Sequence, residues 1–247
     1  MRQKLCLAVI IAGLMFIPAV AYAQPLPGID LSVNPTDSPG EVVDSVKLLV
    51  MLSLIALAPA FLLMVTCFTR IIIVLSLLRG AIGVAMTPPN QVLIGLALFL
   101  TVFIMAPVYG QINENAIKPY TENRISQEQA LNEAYKPLRK FMLKQTREKD
   151  LSLFVTISKS DRPRSAEDVS LSVLAPAFII SELKTAFQMG FLLYVPFLVI
   201  DMVVASTLMS MGMFMLPPVM ISLPFKLLLF VMVDGWYLVI KSLVESF

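Results

Sequence analysis

DMVVASTLMSMGMFMLPPVMISLPFK, residues Asp201–Lys226, is the stretch whose reading decides the fold. It carries six of the fifteen methionines, the proline pair Pro217–Pro218, a third proline at Pro224, and no charge between its ends. A run this apolar suggests one membrane helix. Proline, however, lacks a backbone donor and breaks the helical ladder, so the prolines point to a broken or re-entrant element. Met209, Met211, Met213 and Met215 recur at every second residue. An extended segment puts all four on one side, whereas a helix divides them between faces. Two readings stand side by side: a soft seal of flexible thioethers, or a methionine-rich stripe facing lipid or core.

Composition narrows the class. The chain is 57% hydrophobic and 15% charged, against about 45–50% and 25% in soluble domains. That is the composition of a membrane-associated protein. The net charge is +2 with no large basic block, which gives no reason to expect nucleic acid. The chain has two cysteines and no histidine. Zinc, haem and histidine-based catalysis therefore lack ligands and bases. No catalytic residue, metal ligand or cofactor is expected, and an enzyme of the common kinds is disfavoured.

The N-terminus has the pattern of a cleavable signal peptide over residues 1–23. Arg2 and Lys4 precede the apolar run Leu5–Val20, and Ala21-Tyr22-Ala23 supplies small residues for cleavage between Ala23 and Gln24. An uncleaved first membrane helix is the alternative. Cleavage removes Cys6 and leaves Cys67 alone, so no disulfide is expected.

Residues 24–45 read as a polar periplasmic leader, with four prolines and two glycines between Gln24 and Glu41. Residues 46–112 form a first hydrophobic helical region. Leu48–Thr69 is free of charge and long enough to span a bilayer, with a kink expected at Pro59. Arg70 and Arg79 follow it as inside-facing charges. The eight residues from Ile71 to Leu78 are too short to span and suit an interfacial or packed position. Thr87-Pro88-Pro89-Asn90 interrupts the next run, with Thr87 or Asn90 able to cap a second hydrophobic helix over Gln91–Pro107.

Residues 113–170 hold most of the charge and read as a polar, largely helical periplasmic segment. Ser126 and Gln129 have capping-box spacing, and Leu131, Ala134, Leu138 and Phe141 or Met142 recur at helical spacing. Pro137 is expected to kink or divide that helix, and residues 160–164 to form a polar turn. Its charged face suits a solvated surface or a docking surface. Residues 171–247 are a second hydrophobic helical region containing the methionine-rich loop.

This second region contains charges. Glu182, Lys184, Asp201, Lys226 and Asp234 lie in or beside its apolar runs. Each costs about 2.5–3.5 kcal/mol at a bilayer centre, so they must pair, face protein, or line a wet cavity. Glu182 and Lys184 lie on opposite sides of a helix and cannot serve each other. A neighbouring copy is one source of partners, and snorkelling at helix ends is the plainer alternative. A proton-coupled transporter using Glu182, Asp201 and Asp234 is a further class, although the chain shows no inverted repeat.

Longer strings carry a resemblance. FTRIIIVLSLLRGAIG (Phe68–Gly83), PPNQVLIGLALFLTVFIMAP (Pro88–Pro107), PLRKFMLKQTREKDL (Pro137–Leu151), Ser181–Pro218 and LPFKLLLFVMVDGW (Leu223–Trp236) resemble, in type and order, the FliP family of flagellar type III export-gate proteins. The resemblance implies a mostly α, integral membrane fold of broken and kinked helical hairpins, assembling into a helical homo-oligomeric ring. It implies a pentamer in the bacterial inner membrane at the flagellar basal body, joined by the Q and R gate subunits. It also implies an O-type assembly factor and a flux of unfolded flagellar subunits. The pore gate maps onto Met209, Met211, Met213 and Met215. Glu182, Asp201 and Lys226 become expected subunit contacts. The injectisome branch of the family is the alternative; the signal peptide and the long polar segment favour the flagellar branch.

Overall fold

The computed structural model describes residues 39–84, 86–158 and 168–247. The signal peptide with its Ala23–Gln24 junction, the leader as far as residue 38, and the polar turn at residues 160–164 lie outside them. The chain divides into two compact units, residues 1–52 and 53–247. Of the first, the described part is the opening of a helix; all the packing below belongs to the second.

All regular structure among the described residues is helical. The elements are α1 (Pro39–Met64), α2 (Phe68–Ile82), α3 (Asn90–Ile112), a π-turn (Asn113–Ile117), α4 (Lys118–Thr121), α5 (Gln127–Gln145), α6 (Glu148–Ile157), α7 (Leu171–Ser210), α8 (Pro218–Met232) and α9 (Gly235–Glu245). Several boundaries differ from expectation, each for a local reason. The apolar run over Leu48–Thr69 is cut at Met64 instead of reaching Thr69. The Thr66 hydroxyl donates to the Leu63 carbonyl at 2.9 Å and accepts from the Phe68 N–H at 3.4 Å. This is the local competition by which threonine ends helices. Neither Thr87 nor Asn90 caps α3. Pro89 is its N-cap, with no side-chain cap, because the Asn90 Oδ1 accepts instead from Arg79 at 2.7 Å. The second hydrophobic helix runs past Pro107 to Ile112 and continues through the π-turn to Thr121, so residue 112 is not a break.

The capping box forms in full, with Ser126 and Gln129 each bonding the other's backbone N–H. It opens α5, which continues through Pro137 undivided. In the second hydrophobic region the expected break is present. The left-handed Gly212 and the Pro217–Pro218 pair separate α7 from α8, and α8 meets α9 at Asp234 with a bend of 64°.

The core is built on α2. Its side chains Arg70, Ile71, Val74, Leu75, Leu78, Ala81 and Ile82 are buried, a helical stripe that explains the fate of a segment too short to span. Against it lies the stripe Leu174, Phe178, Glu182, Ala186 and Gly190 of α7. The helices approach closely because two glycines permit it. A Cβ on Gly190 would lie 2.2 Å from Leu77 Cδ1 and 3.1 Å from its Cβ, and one on Gly80 would lie 2.5 Å from the Tyr194 hydroxyl. A smaller cluster, Val65, Met142, Val169, Leu174 and Phe178, joins α5 to the start of α7.

Two helical stretches, Asn90–Thr121 and Leu171–Ser210, are long and apolar enough to cross a membrane, and α8 with α9 makes a third if the bent pair counts as one span. The 40 residues of α7 extend about 60 Å at 1.5 Å each, twice the hydrocarbon thickness of about 30 Å. α7 is therefore longer than a single crossing requires.

The glycine contacts set a test. Gly190→Val overpacks the α2–α7 seam and is expected to cost about 1–3 kcal/mol, read as a lower unfolding temperature of the detergent-solubilised protein. Gly95 has nothing within 4 Å of its would-be Cβ. Gly95→Ala is therefore expected to leave stability unchanged or raise it by up to about 1 kcal/mol through helix propensity.

Candidate functional site

Arg70 stands in the first turn of α2, where the positive end of the helix dipole disfavours a cation. It is nevertheless 2% exposed, and Glu182 on α7 is 0% exposed. The guanidinium makes five hydrogen bonds. Nε donates to Glu182 Oε2 at 2.9 Å and Nη2 to Glu182 Oε1. Nη2 also reaches Gln145 Oε1 at 3.0 Å, and Nη1 reaches the Ser246 carbonyl and hydroxyl at 2.8 and 3.1 Å. Five bonds match the five N–H groups of arginine. The guanidinium also sits 3.9 Å from the centre of the Phe247 ring, which stacks on Phe141. Gln145 and Lys144 donate to the main-chain oxygen of Phe247. One cation thereby ties α2, α5, α7 and the residues after α9 together.

Next to Glu182, the buried Ser181 hydroxyl donates to Asp150 Oδ2 at 2.7 Å and accepts from the Arg147 N–H at 3.1 Å. The Arg147 side chain donates to the same carboxyl oxygen from Nε at 2.8 Å and Nη2 at 2.5 Å. Burial alone would raise the Asp150 pKa. The Ser181 hydroxyl and the Arg147 guanidinium outweigh it and hold the carboxyl below its ordinary value of 3.8.

Farther along α7, Asp201 Oδ2 accepts from Lys226 Nζ at 2.6 Å, and Asp201 Oδ1 accepts from the Ser222 hydroxyl at 2.5 Å. Lys226 Nζ also donates to the Ala81 carbonyl at 3.3 Å, at the end of α2. These groups form a rung between α7 and α8. Asp201 lies about 14 Å of helix before the end of α7, and Lys226 about 12 Å after the start of α8, at 1.5 Å per residue. Beyond the rung, Val199, Val203, Thr207, Ile221 and Phe225 line an open apolar space of about 500 Å³, and the tip of the hairpin carries the methionines.

The tip is not an extended strand. Met209 is in the last turn of α7 and Met211 is its C-cap. The Met213 N–H bonds the Leu208 carbonyl and the Gly212 N–H bonds the Met209 carbonyl, with Gly212 at φ 75°. This is a Schellman close, and glycine supplies its left-handed residue. Alternation in sequence therefore does not place the four methionines on one side of a strand. Met209, Met211 and Met213 are exposed, and Met215 is 98% exposed. Proline at the first position of α8 restarts the helix where its missing donor costs nothing.

The structure places the expected site residues as follows. Glu182, Asp201 and Lys226 find their partners inside the chain, in two separate clusters. Arg70 is neutralised within protein, while Arg79 bridges the α2–α3 connection by donating to Pro88 O and Asn90 Oδ1. Sequence reasoning missed Arg70 as the partner of Glu182 and Ser222 as the second donor to Asp201. The signal for Arg70 was its isolation: an arginine followed at once by three isoleucines needs a buried acid. No group of three or more histidine, cysteine, aspartate or glutamate side chains suited to a metal occurs among the described residues.

Comparison with known proteins points one way. The sequence model of the FliP family matches residues 51–243. The chain is 57% identical over 217 residues to a Flagellar biosynthetic protein FliP of Bacillus subtilis, covering 88% of this chain and 98% of that protein. It is 52% identical over 235 residues to one from Pectobacterium carotovorum, covering 95% and 90%. To one from Aquifex aeolicus it is 47% identical over 249 residues, covering the whole of both.

The charge clusters yield two expected outcomes. Glu182→Gln strands the Arg70 charge and is expected to cost about 3–5 kcal/mol, whereas Arg70→Met with Glu182→Leu recovers most of it; unfolding temperatures of single and double variants decide. A depressed Asp150 pKa contributes stability above its unfolded-state value, and that stability is lost as pH falls through the folded-state value. Asp150→Asn should therefore flatten the acid limb of the stability–pH curve.

Proposed function

The chain belongs to the FliP family, and from that premise we propose that it is a core pore-forming subunit of the flagellar type III protein export gate. Its long apolar helices suit a membrane protein. On this reading it lies multi-pass in the bacterial inner membrane at the flagellar basal body. Copies of the chain form a homo-oligomeric ring, a pentamer by family resemblance, joined by the Q and R gate subunits and aided in assembly by an O-type factor. Unfolded flagellar subunits pass through the ring. The protein acts passively, as a non-enzymatic conduit without a cofactor, and the energy comes from other components.

The observation that carries this reading is the hairpin tip. A 98% exposed methionine beside exposed Met211, Phe214 and Met220 is unfavourable in water unless other apolar surface covers it. Tips brought together around an axis cover one another. Methionine suits the task because its unbranched, flexible side chain conforms to irregular gaps. The seal then blocks ions when collapsed and yields to an extended polypeptide. The Asp201–Lys226–Ser222 rung supports the same reading by fixing the two arms behind the tip, so the side chains deform and the arms do not. Arg70 and the half-buried Arg79, which follow the first apolar run, mark the cytoplasmic side on this reading. The contacts between copies then fall to the apolar faces, since Glu182 and Lys226 are already enclosed.

Replacing Met209, Met211, Met213 and Met215 together with alanine is expected to raise the ion conductance of membranes containing the assembled protein several-fold. A deletion strain complemented with this variant should assemble the protein and grow poorly. Membranes as tight as wild type would remove the methionines from the gate.

A further inference from the structure

The hairpin tip has a chemical property beyond its apolar bulk. Between Thr207 and Pro218 the chain has no acid, amide, histidine or cysteine side chain. Its two hydroxyls are turned back onto their own helix. Thr207 Oγ1 donates to the Val203 carbonyl and Ser210 Oγ to the Thr207 carbonyl, each at 2.8 Å. The charges that flank the tip in sequence, Asp201 and Lys226, lie about 14 and about 12 Å of helix away and are spent on each other. The remaining side-chain donors are the sulfurs of Met209, Met211, Met213 and Met215, all four exposed. The fold gathers them. The Met213 N–H bonds the Leu208 carbonyl at 3.0 Å and the Gly212 N–H bonds the Met209 carbonyl at 3.1 Å, which folds Met213 back beside the end of α7. Phe214 and Met215 make a second turn directly after it. Four thioethers, each on three rotatable bonds, therefore stand on a helix end and two consecutive turns.

We propose that the tip binds one soft monovalent cation, Cu(I) or Ag(I), through the sulfur atoms of Met209, Met211, Met213 and Met215. Thioether ligands select such ions, whereas magnesium, calcium and manganese call for carboxylate, carbonyl or water oxygen. Flexibility suits methionine to a seal, but only the sulfur lone pairs make it a ligand; leucine supplies similar bulk and no donor. The donors are neutral, and charge without a counter-ion is costly among apolar groups, which favours an ion of charge +1 over one of +2. Bound there, the ion ties together side chains that otherwise move independently and stiffens the tip. That consequence rests on the gate reading above; the binding itself does not. The other methionines supply comparisons. Met105 and Met142 are fully buried, and Met86 and Met232 are exposed but isolated in the sequence.

Native mass spectrometry of the full-length protein in detergent tests the binding, with Ag(I) as the probe because it needs no reductant. Wild type is expected to retain about one Ag(I) per chain at the thioethers in the presence of excess sodium and magnesium ions. Met209→Leu, Met211→Leu, Met213→Leu and Met215→Leu together keep the tip apolar and should lose that ion. The cysteines are the same in both proteins, so an ion lost with the methionines belongs to the methionines. Met86→Leu with Met232→Leu should retain it. Undiminished uptake by the fourfold leucine variant, an equal loss in the Met86 and Met232 pair, or Zn(II) held by the tip as firmly as Ag(I) would each overturn the assignment. The leucine variant is also expected to keep membranes tight, so a failure of the cation site and a failure of the seal are read separately.

Discussion

A charge buried among helices this apolar survives only if every donor and acceptor around it is matched, and the Arg70–Glu182 pair meets that condition. Two ions moved out of water lose several kcal/mol each, and their mutual attraction repays this only with good geometry and further hydrogen bonds. Here the further bonds come from Gln145 on α5 and from Ser246 beyond α9. The satisfaction of one guanidinium thus fixes where four separated segments meet. The packing of α2 against α7 depends on it, because the pair sits in the seam that Gly80 and Gly190 keep narrow. The same logic recurs at Asp150 and at Asp201. Each charge on the inner side of α7 is paired with a basic residue and a serine or glutamine, and none is left to lipid.

This pairing determines what the rest of the surface can do. With Glu182 and Lys226 enclosed, α7 presents from Phe187 to Val203 an outer face of exposed Phe191, Leu192, Leu198, Val199 and Met202. Such a face needs lipid or another chain. The helix is about twice as long as a bilayer's hydrocarbon is thick, so both have room. The rung at Asp201 also divides α7 functionally. On one side it packs against α2 and carries the fold; on the other it forms one arm of a hairpin whose tip is glycine, proline and methionine.

Much of this was legible in the residues. The break between α7 and α8 followed from Pro217 and Pro218, and the start of α5 from Ser126 and Gln129; the bend at Asp234 was not foreseen. The exposure of the methionine tip was not legible from its spacing, because the alternation of Met209 to Met215 suggests an extended strand. Gly212 closes the helix instead, and a Schellman turn overrides the periodicity. The charge partners were half legible. Energetics demanded that Glu182 and Asp201 be paired, but periodicity ranks neighbours only within one helix. Arg70 lies 112 residues from Glu182 in the chain, and only the tertiary fold brings them together. Calling Arg70 an inside-facing charge followed from its place after an apolar run. Its burial against Glu182 gives it a packing role that such counting does not address.

The account makes the paired charges a fixed frame and the methionine tip a movable seal shared between copies. Single-particle imaging of the purified protein tests that most directly, because the place of the tip in an assembly is visible without reference to activity. A closed ring with residues 211–217 of every copy converging on its axis, and with Arg70–Glu182 and Asp201–Lys226 kept within each copy, is the expected result. An assembly whose tips point outward to lipid, or whose charge pairs exchange between copies, would contradict it.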